Sequence, residues 1–269
     1  MRVRVQFEKT GPLRFVGHLD FMRTFQKIIK RSGLDAVYTA GFNPHMVLSF
    51  ADPLGVGQES TSEFADIEFA WKDTAPLTEQ ELYRLTDIGL DNASLPLPPS
   101  SKEVVAALNA VSPAGVRFKG AVRVGLIRSS KAMALVRYAS WTLALRNDAL
   151  PDTDLRRAAG ELLKREEIVV HKVTKKSETD VDIRPLILSL DAAEGDACRI
   201  AADDPAYSDG RALSLLCAAG SYRNLKPQTV LEALCRAEDP SACLPAFRLM
   251  RTGIFDENRK SLLEGGSSF

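Results

Sequence analysis

Gly17-His18-Leu19-Asp20 and Gly41-Phe42-Asn43-Pro44-His45 are the two places in this sequence where imidazole, amide and carboxylate groups crowd together. The first reads as the opening of a helix. Its leading turn leaves backbone N–H groups free and carries the positive end of the helix dipole, which suits an anion such as phosphate. Arg14, Arg23, Lys27, Lys30 and Arg31 lie on or near that helix. The second reads as a turn that presents an amide, an imidazole and the aromatic Phe42. Together they predict one polar pocket, with His18, Asn43 and His45 facing it, Arg14 or Arg23 at its edge, and Asp20 orienting an imidazole. His18 or His45 is the candidate general acid or base. Binding without catalysis stays open, because no activated nucleophile, phosphate loop or metal set accompanies them. Plainer roles exist for each residue: Asp20 as an acid favoured by the dipole, Gly41 and Pro44 as turn formers, each histidine as a satisfied structural group.

The four cysteines, Cys198, Cys217, Cys235 and Cys243, have no C-x2-C pair and no histidine at finger spacing after them. That spacing argues against a zinc site and against any bound metal or cofactor of the chain's own. They read as reduced thiols in a reducing compartment, so the expected location is the cytoplasm. No run approaches the ~20 apolar residues a membrane helix needs. The alternating Met1-Arg2-Val3-Arg4-Val5-Gln6-Phe7 reads as a strand rather than a signal peptide.

Net charge is zero, but the charges come in blocks. Residues 1–50 hold eight Lys/Arg against three Asp/Glu, residues 51–103 hold three against eleven, and residues 114–146 hold seven basic residues and no acid. Such segments, if folded onto one face, attract polyanions even at zero net charge.

The elements that must position these groups follow from periodicity. Val3–Phe7 is a strand. Leu13 to Arg31 is mostly helix, with Leu19, Met22, Phe25 and Ile29 as an apolar stripe widened by Phe21 and Ile28. Two strands, a short helix, a helix over Val104–Val111 and a strand over Val116–Val124 complete a β-α-β-β-α-β order, the ferredoxin-like pattern. A fainter second round runs from Ser140 to Phe255, with one strand over Val181–Leu190 and a helix opening at Pro227. The expected fold class is α+β: two tandem ferredoxin-like halves with antiparallel sheets, over 1–138 and 139–260, and a flexible tail over 261–269.

Leu13-Arg14-Phe15-Val16-Gly17-His18-Leu19-Asp20, Arg31-Ser32-Gly33-Leu34, Tyr38-Thr39-Ala40-Gly41-Phe42-Asn43-Pro44-His45 and Ser49-Phe50-Ala51-Asp52-Pro53-Leu54-Gly55-Val56-Gly57 resemble the radical-SAM-linked domain of unknown function. Shorter matches at Val181-Asp182-Ile183-Arg184-Pro185, Lys226-Pro227 and Arg251-Thr252-Gly253 extend the resemblance over nearly the whole chain. Gly17 stands where that family usually has a small hydroxyl residue, which weakens the helix cap, and residues 73–102 form a longer link than is usual. Members of that family stand alone or are fused to a radical-SAM protein with a cobalamin-binding-type domain. The resemblance therefore implies a radical-SAM partner. The chain itself lacks the C-x3-C-x2-C triplet that would hold the iron–sulfur cluster. Three functions are expected as alternatives. One is an accessory protein that binds RNA or presents a substrate, with Phe42 and Tyr38 stacking on bases. The second, by analogy of fold with CRISPR repeat-processing enzymes, is a metal-independent endoribonuclease using His18 or His45. The third is a protein-binding scaffold.

Overall fold

A computed structural model describes residues 1–148, 150, 153–173, 178–195, 200, 204–238 and 247–269. It is a mixed α/β structure whose sheets are mostly antiparallel. The chain divides into two compact units, one made of 1–136 with 253–269, the other of 137–252.

The first unit begins with β1 (Arg2–Lys9), a 3-10 turn over Gly11–Phe15 and α1 (His18–Arg31), followed by β2 (Leu48–Phe50) and β3 (Gln58–Glu68). Helices α2 (Glu79–Asp87) and α3 (Ser101–Ala110) precede β4 (Val116–Val124), and α4 (Ala132–Leu135) is a single turn. The strand order is β4–β1–β3–β2, each neighbouring pair antiparallel.

Strand parity decides the core. Val3, Val5 and Phe7 share one face of β1, and Ala65 and Ile67 share the same face of β3. Helix α1 covers this face with Phe21, Phe25, Ile28 and Ile29. The expected stripe is thus rotated: Phe21 and Ile28 point to the sheet, Met22 is only partly buried, and Leu19 is 64% exposed. The four buried positions are spaced i, i+4, i+7, i+8, which is a straighter ridge on a helix than the 19–22 pair. Helix α3 adds Val104 and Leu108 and starts with a capping box between Ser100 and Glu103.

The opposite face of β1 and β3 is charged, and it is buried as well. Arg2 pairs with Glu68, and Arg4 pairs with Asp66 at 2.8 Å. Arg2 also donates to the carbonyls of Gly125, Leu126 and Ile127, and Arg4 to those of Leu262 and Ser130. The arginines satisfy carbonyls of irregular chain that would otherwise be buried without donors.

Residues 261–269, expected as a frayed tail, are tied into this unit. Ser267 exchanges two backbone hydrogen bonds with Arg123, the backbone N–H of Ser101 donates to the Phe269 carbonyl, and the Phe269 ring lies 6.5 Å from that of Trp71. The return to the first unit begins at Gly253, where a second half ending at 260 was expected.

The second unit carries β5 (Tyr138–Leu145), α5 (Leu155–Leu163), β6 (Val169–Val173), β7 (Glu178–Asp182), β8 (Ile187–Ala192), β9 (Ala212–Ala218), α6 (Pro227–Glu238) and the first six residues of β10 (Phe247–Phe255), which from Gly253 on belongs to the first unit. Its strand order is β10–β5–β9–β8, and β6–β7 is a separate hairpin. The strand expected over Val181–Leu190 is broken into β7 and β8 by a 3-10 turn over Arg184–Leu186. Pro185 has no N–H for a ladder and favours a turn start.

Candidate functional site

Lys9 is the last residue of β1 and continues its core-facing parity after Val3, Val5 and Phe7, so its side chain enters the apolar side and is 2% exposed. Glu63 does the same on β3: it stands opposite Phe7, shares the parity of Ala65 and Ile67, and is 4% exposed. A register shift between Phe7 and Lys9 marks a bulge that re-aims this strand end. Lys9 Nζ donates to the Val16 carbonyl at 2.9 Å and sits 5.1 Å from the centroid of the Phe21 ring. It thereby holds the segment that leads into α1. His18, the first residue of α1, completes the group, its ring edge-on to Phe50 at 5.4 Å.

Lys9, His18 and Glu63 line one small cavity walled by Phe7, Phe21, Phe50 and Leu54. Its volume is about 10 Å³, room for about one water molecule and not for a nucleotide. Burial, and then the Lys9 charge, hold the His18 imidazole below the usual histidine range. His18 is therefore neutral at physiological pH and able to accept a proton.

The other expected residues lie outside this cavity. Arg14 lies 3.8 Å from Glu59 and 4.6 Å from the ring centroid of Phe15, which is exposed. Asp20 pairs with Arg23 across one helical turn at 2.9 Å, both exposed, so its carboxylate orients a guanidinium where it was expected to orient an imidazole. Lys30 sits 5.8 Å from the Tyr38 ring. The loop carrying Phe42, Asn43 and His45 is closed at its base by Thr39, whose N–H donates to the His45 carbonyl and whose Oγ1 accepts from the His45 N–H. Phe42, Asn43 and His45 are all exposed, and Phe42 is fully so. Neither Asn43 nor His45 lines the cavity at His18. What lies beside His18 is Lys9 and Glu63.

Those two were missed from the sequence, although a signal was there. A lysine and a glutamate at core-facing positions of two alternating strands break the apolar pattern on the same face, and buried charges of that kind need partners. The third histidine, His171, lies in the second unit on the β6–β7 hairpin, 2.8 Å from Asp180. Among the described residues no group of three or more His, Cys, Asp or Glu is placed to hold a metal ion. Cys198 and Cys243 lie outside the described residues. Cys217 and Cys235 are buried, and burial, with Glu232 nearby, pushes the Cys235 thiol up to about 11. Nor, among the described residues, is any helix long and apolar enough to cross a membrane.

A family model described as "Uncharacterized protein conserved in bacteria (DUF2344)" matches residues 2–91 and 85–227, well over half of the 269 residues. The chain belongs to this family. The DUF2344 match contains Lys9, His18 and Glu63, the expected site residues from Arg14 to His45, and the buried charged face of β1 and β3. No curated protein matches the chain.

Proposed function

We propose that this DUF2344 protein is an accessory protein of a radical-SAM enzyme, and that it holds RNA, or a substrate presented to that enzyme, through exposed aromatic and basic side chains of the first unit. The radical-SAM link rests on the resemblance of the 13–20, 38–45 and 49–57 segments. The observation that carries the binding reading is the presence of exposed aromatic rings, two of them beside cations, in the first unit: Arg14 over Phe15, Lys30 over Tyr38, and Phe42 projecting fully into solvent. Single-strand binders combine such stacking platforms with basic side chains that track phosphates. The Asp20–Arg23 pair is exposed and so worth little to the fold, leaving Arg23 able to exchange its partner for a phosphate. The start of α1 at Gly17 has no side-chain cap. Both units are read as ferredoxin-like halves, the second with an inserted hairpin. The strand orders β4–β1–β3–β2 and β10–β5–β9–β8 support that reading.

The endoribonuclease reading is weaker, because the His18 cavity admits about one water and His45 does not line it. One assay separates these readings. Fluorescence anisotropy with single-stranded RNA, in chelator and at two salt concentrations, should show binding that weakens steeply with salt. Phe42→Ala should weaken it about 5- to 100-fold through the lost stack, and Arg23→Ala should reduce the salt slope by about one. Salt-insensitive binding, or none, would falsify the RNA reading and leave a protein scaffold. Discrete cleavage lost in His18→Ala would replace it with the nuclease. A pull-down from native lysate that never recovers a radical-SAM protein would remove the accessory role.

A further inference from the structure

The buried charged face of the first unit opens on a second pocket, of about 330 Å³, lined by Arg2, Gln80, Arg84, Leu126, Ile127, Arg128 and Lys131. Four of these seven residues are cations. Arg2 is fully spent: its guanidinium holds Glu68, Ser130 and the carbonyls of 125–127, and so fixes the strand-to-turn segment that carries Arg128 and Lys131. Arg84, from α2, gives Nη2 to both oxygens of Glu68, while its buried Nε has no hydrogen-bond partner. Among the described residues, neither the Arg128 nor the Lys131 side chain has an ion pair.

The carboxylates nearby are committed. Glu68 accepts from Arg2 and Arg84, and Asp66 accepts from Arg4 and the Ala132 N–H. Cations therefore outnumber the acids, and several N–H donors remain unspent around one pocket. Burial, then repulsion from Arg2 and Arg84, lowers the Lys131 pKa against the opposing pull of Glu68 and Asp66, so the ammonium feels a positive surplus. A surplus of positive charge at a partly buried ammonium is a cost that an anion in the pocket would offset.

We propose that this pocket is an oxyanion site that takes a phosphate group, with Lys131 and Arg128 as direct ligands and the Arg84 guanidinium, held in place by Glu68, adding positive charge to its wall. A tetrahedral phosphate offers acceptors in several directions to the Arg128 guanidinium and the Lys131 ammonium, whereas a planar carboxylate offers two oxygens in one plane. The Arg2 hydrogen bonds pre-organise the turn, so little ordering cost remains for binding. The pocket includes none of Phe15, Tyr38 and Phe42, and the proposal does not rest on RNA binding at those residues.

Calorimetric titration of the full chain separates the sources of that phosphate. The probes are inorganic phosphate, uridine 5′-monophosphate and a single-stranded oligonucleotide, with acetate at matched ionic strength as the control. Saturable phosphate binding is expected, weakened about 10-fold or more in Lys131→Gln and in Arg128→Ala, and unchanged in Lys102→Ala, which removes an exposed charge of α3 that does not line the pocket. Arg128 is exposed, so its variant keeps the test valid should Lys131→Gln disturb the fold. Lys131-dependent binding of the two small probes assigns a free phosphate ligand, and dependence seen with the oligonucleotide alone assigns a backbone phosphodiester. No Lys131- or Arg128-dependent binding of any of the three, or equal binding of acetate, overturns the site.

Discussion

At the scale of single residues, the informative group is a lysine, a histidine and a glutamate drawn under a cage of phenylalanines. Lys9 lowers the His18 pKa, second to burial. Replacing it by methionine should raise the His18 pKa without fully restoring the ordinary value, as read by NMR titration of the imidazole; an unmoved titration would mean the two charges do not interact. The same substitution strips the Val16 carbonyl of its charged donor and should cost about 1–3 kcal/mol of stability. His18 also ties stability to pH. Its folded pKa is lowered, so below the ordinary histidine pKa the unfolded chain binds the proton more readily than the folded one. The folded state then loses stability as pH falls through the histidine range and keeps it above that range. His18→Gln should remove that part of the pH dependence, seen as a smaller difference between urea midpoints at about pH 7.5 and about pH 5.5.

At the scale of elements, capping and close approach separate positions that tolerate change from positions that do not. Ser100 caps α3, whose Val104 and Leu108 are fully buried. Ser100→Ala should therefore cost about 1 kcal/mol in a denaturant titration. Gly17 caps α1 without a side chain, and a Cβ there would meet only the Val56 methyl at 4.0 Å. Gly17→Ser should be tolerated and gain a few tenths of a kcal/mol; a loss of stability would mean the segment is more constrained than its backbone geometry implies. Gly115 is the opposite case. Its φ is +87° and a Cβ would lie 2.5 Å from the Thr10 carbonyl oxygen. Gly115→Ala strains the backbone and breaks the Thr10–Gly115 hydrogen bond that closes β1 against β4, so an unchanged melting temperature would contradict the geometry.

At the scale of the molecule, residues 253–269 belong to the first unit, which therefore draws on chain from before and after the second. Leu262 supplies a carbonyl to buried Arg4, and a Cβ on Gly266 would lie 2.4 Å from Val122. A chain ending at Lys260 should leave Arg4 short of an acceptor and Arg123 short of its bridge to Ser267. The expected result is a lower melting temperature and faster proteolysis within 1–136, while protection equal to that of the full chain would show that the segment is dispensable.

Local pattern was enough for the regular elements. Alternation gave β1, the proline-led start gave α6, and the apolar stripe within Leu13 to Arg31 gave α1, although that helix starts only at His18, after a 3-10 turn over Gly11–Phe15; each depends on residues within a few positions of one another. The broken strand at Pro185 was also visible in principle, since proline's missing N–H is a local property. Other features depend on long-range burial. The Arg2, Arg4, Asp66 and Glu68 face has the composition of a solvated strand face, and only the chain laid over it, 125–136 and 261–269, makes it a buried ion network. The site divides the same way. The sequence marked Arg14, His18, Asp20, Arg23, Phe42, Asn43 and His45 by residue type, but types do not carry distances. Tertiary packing set His18 beside Lys9 and Glu63, spent Asp20 on Arg23, and left Phe42, Asn43 and His45 on an exposed loop. Which charged groups face one another depends on strand register and on what covers each face, and both are fixed by contacts between residues tens of positions apart.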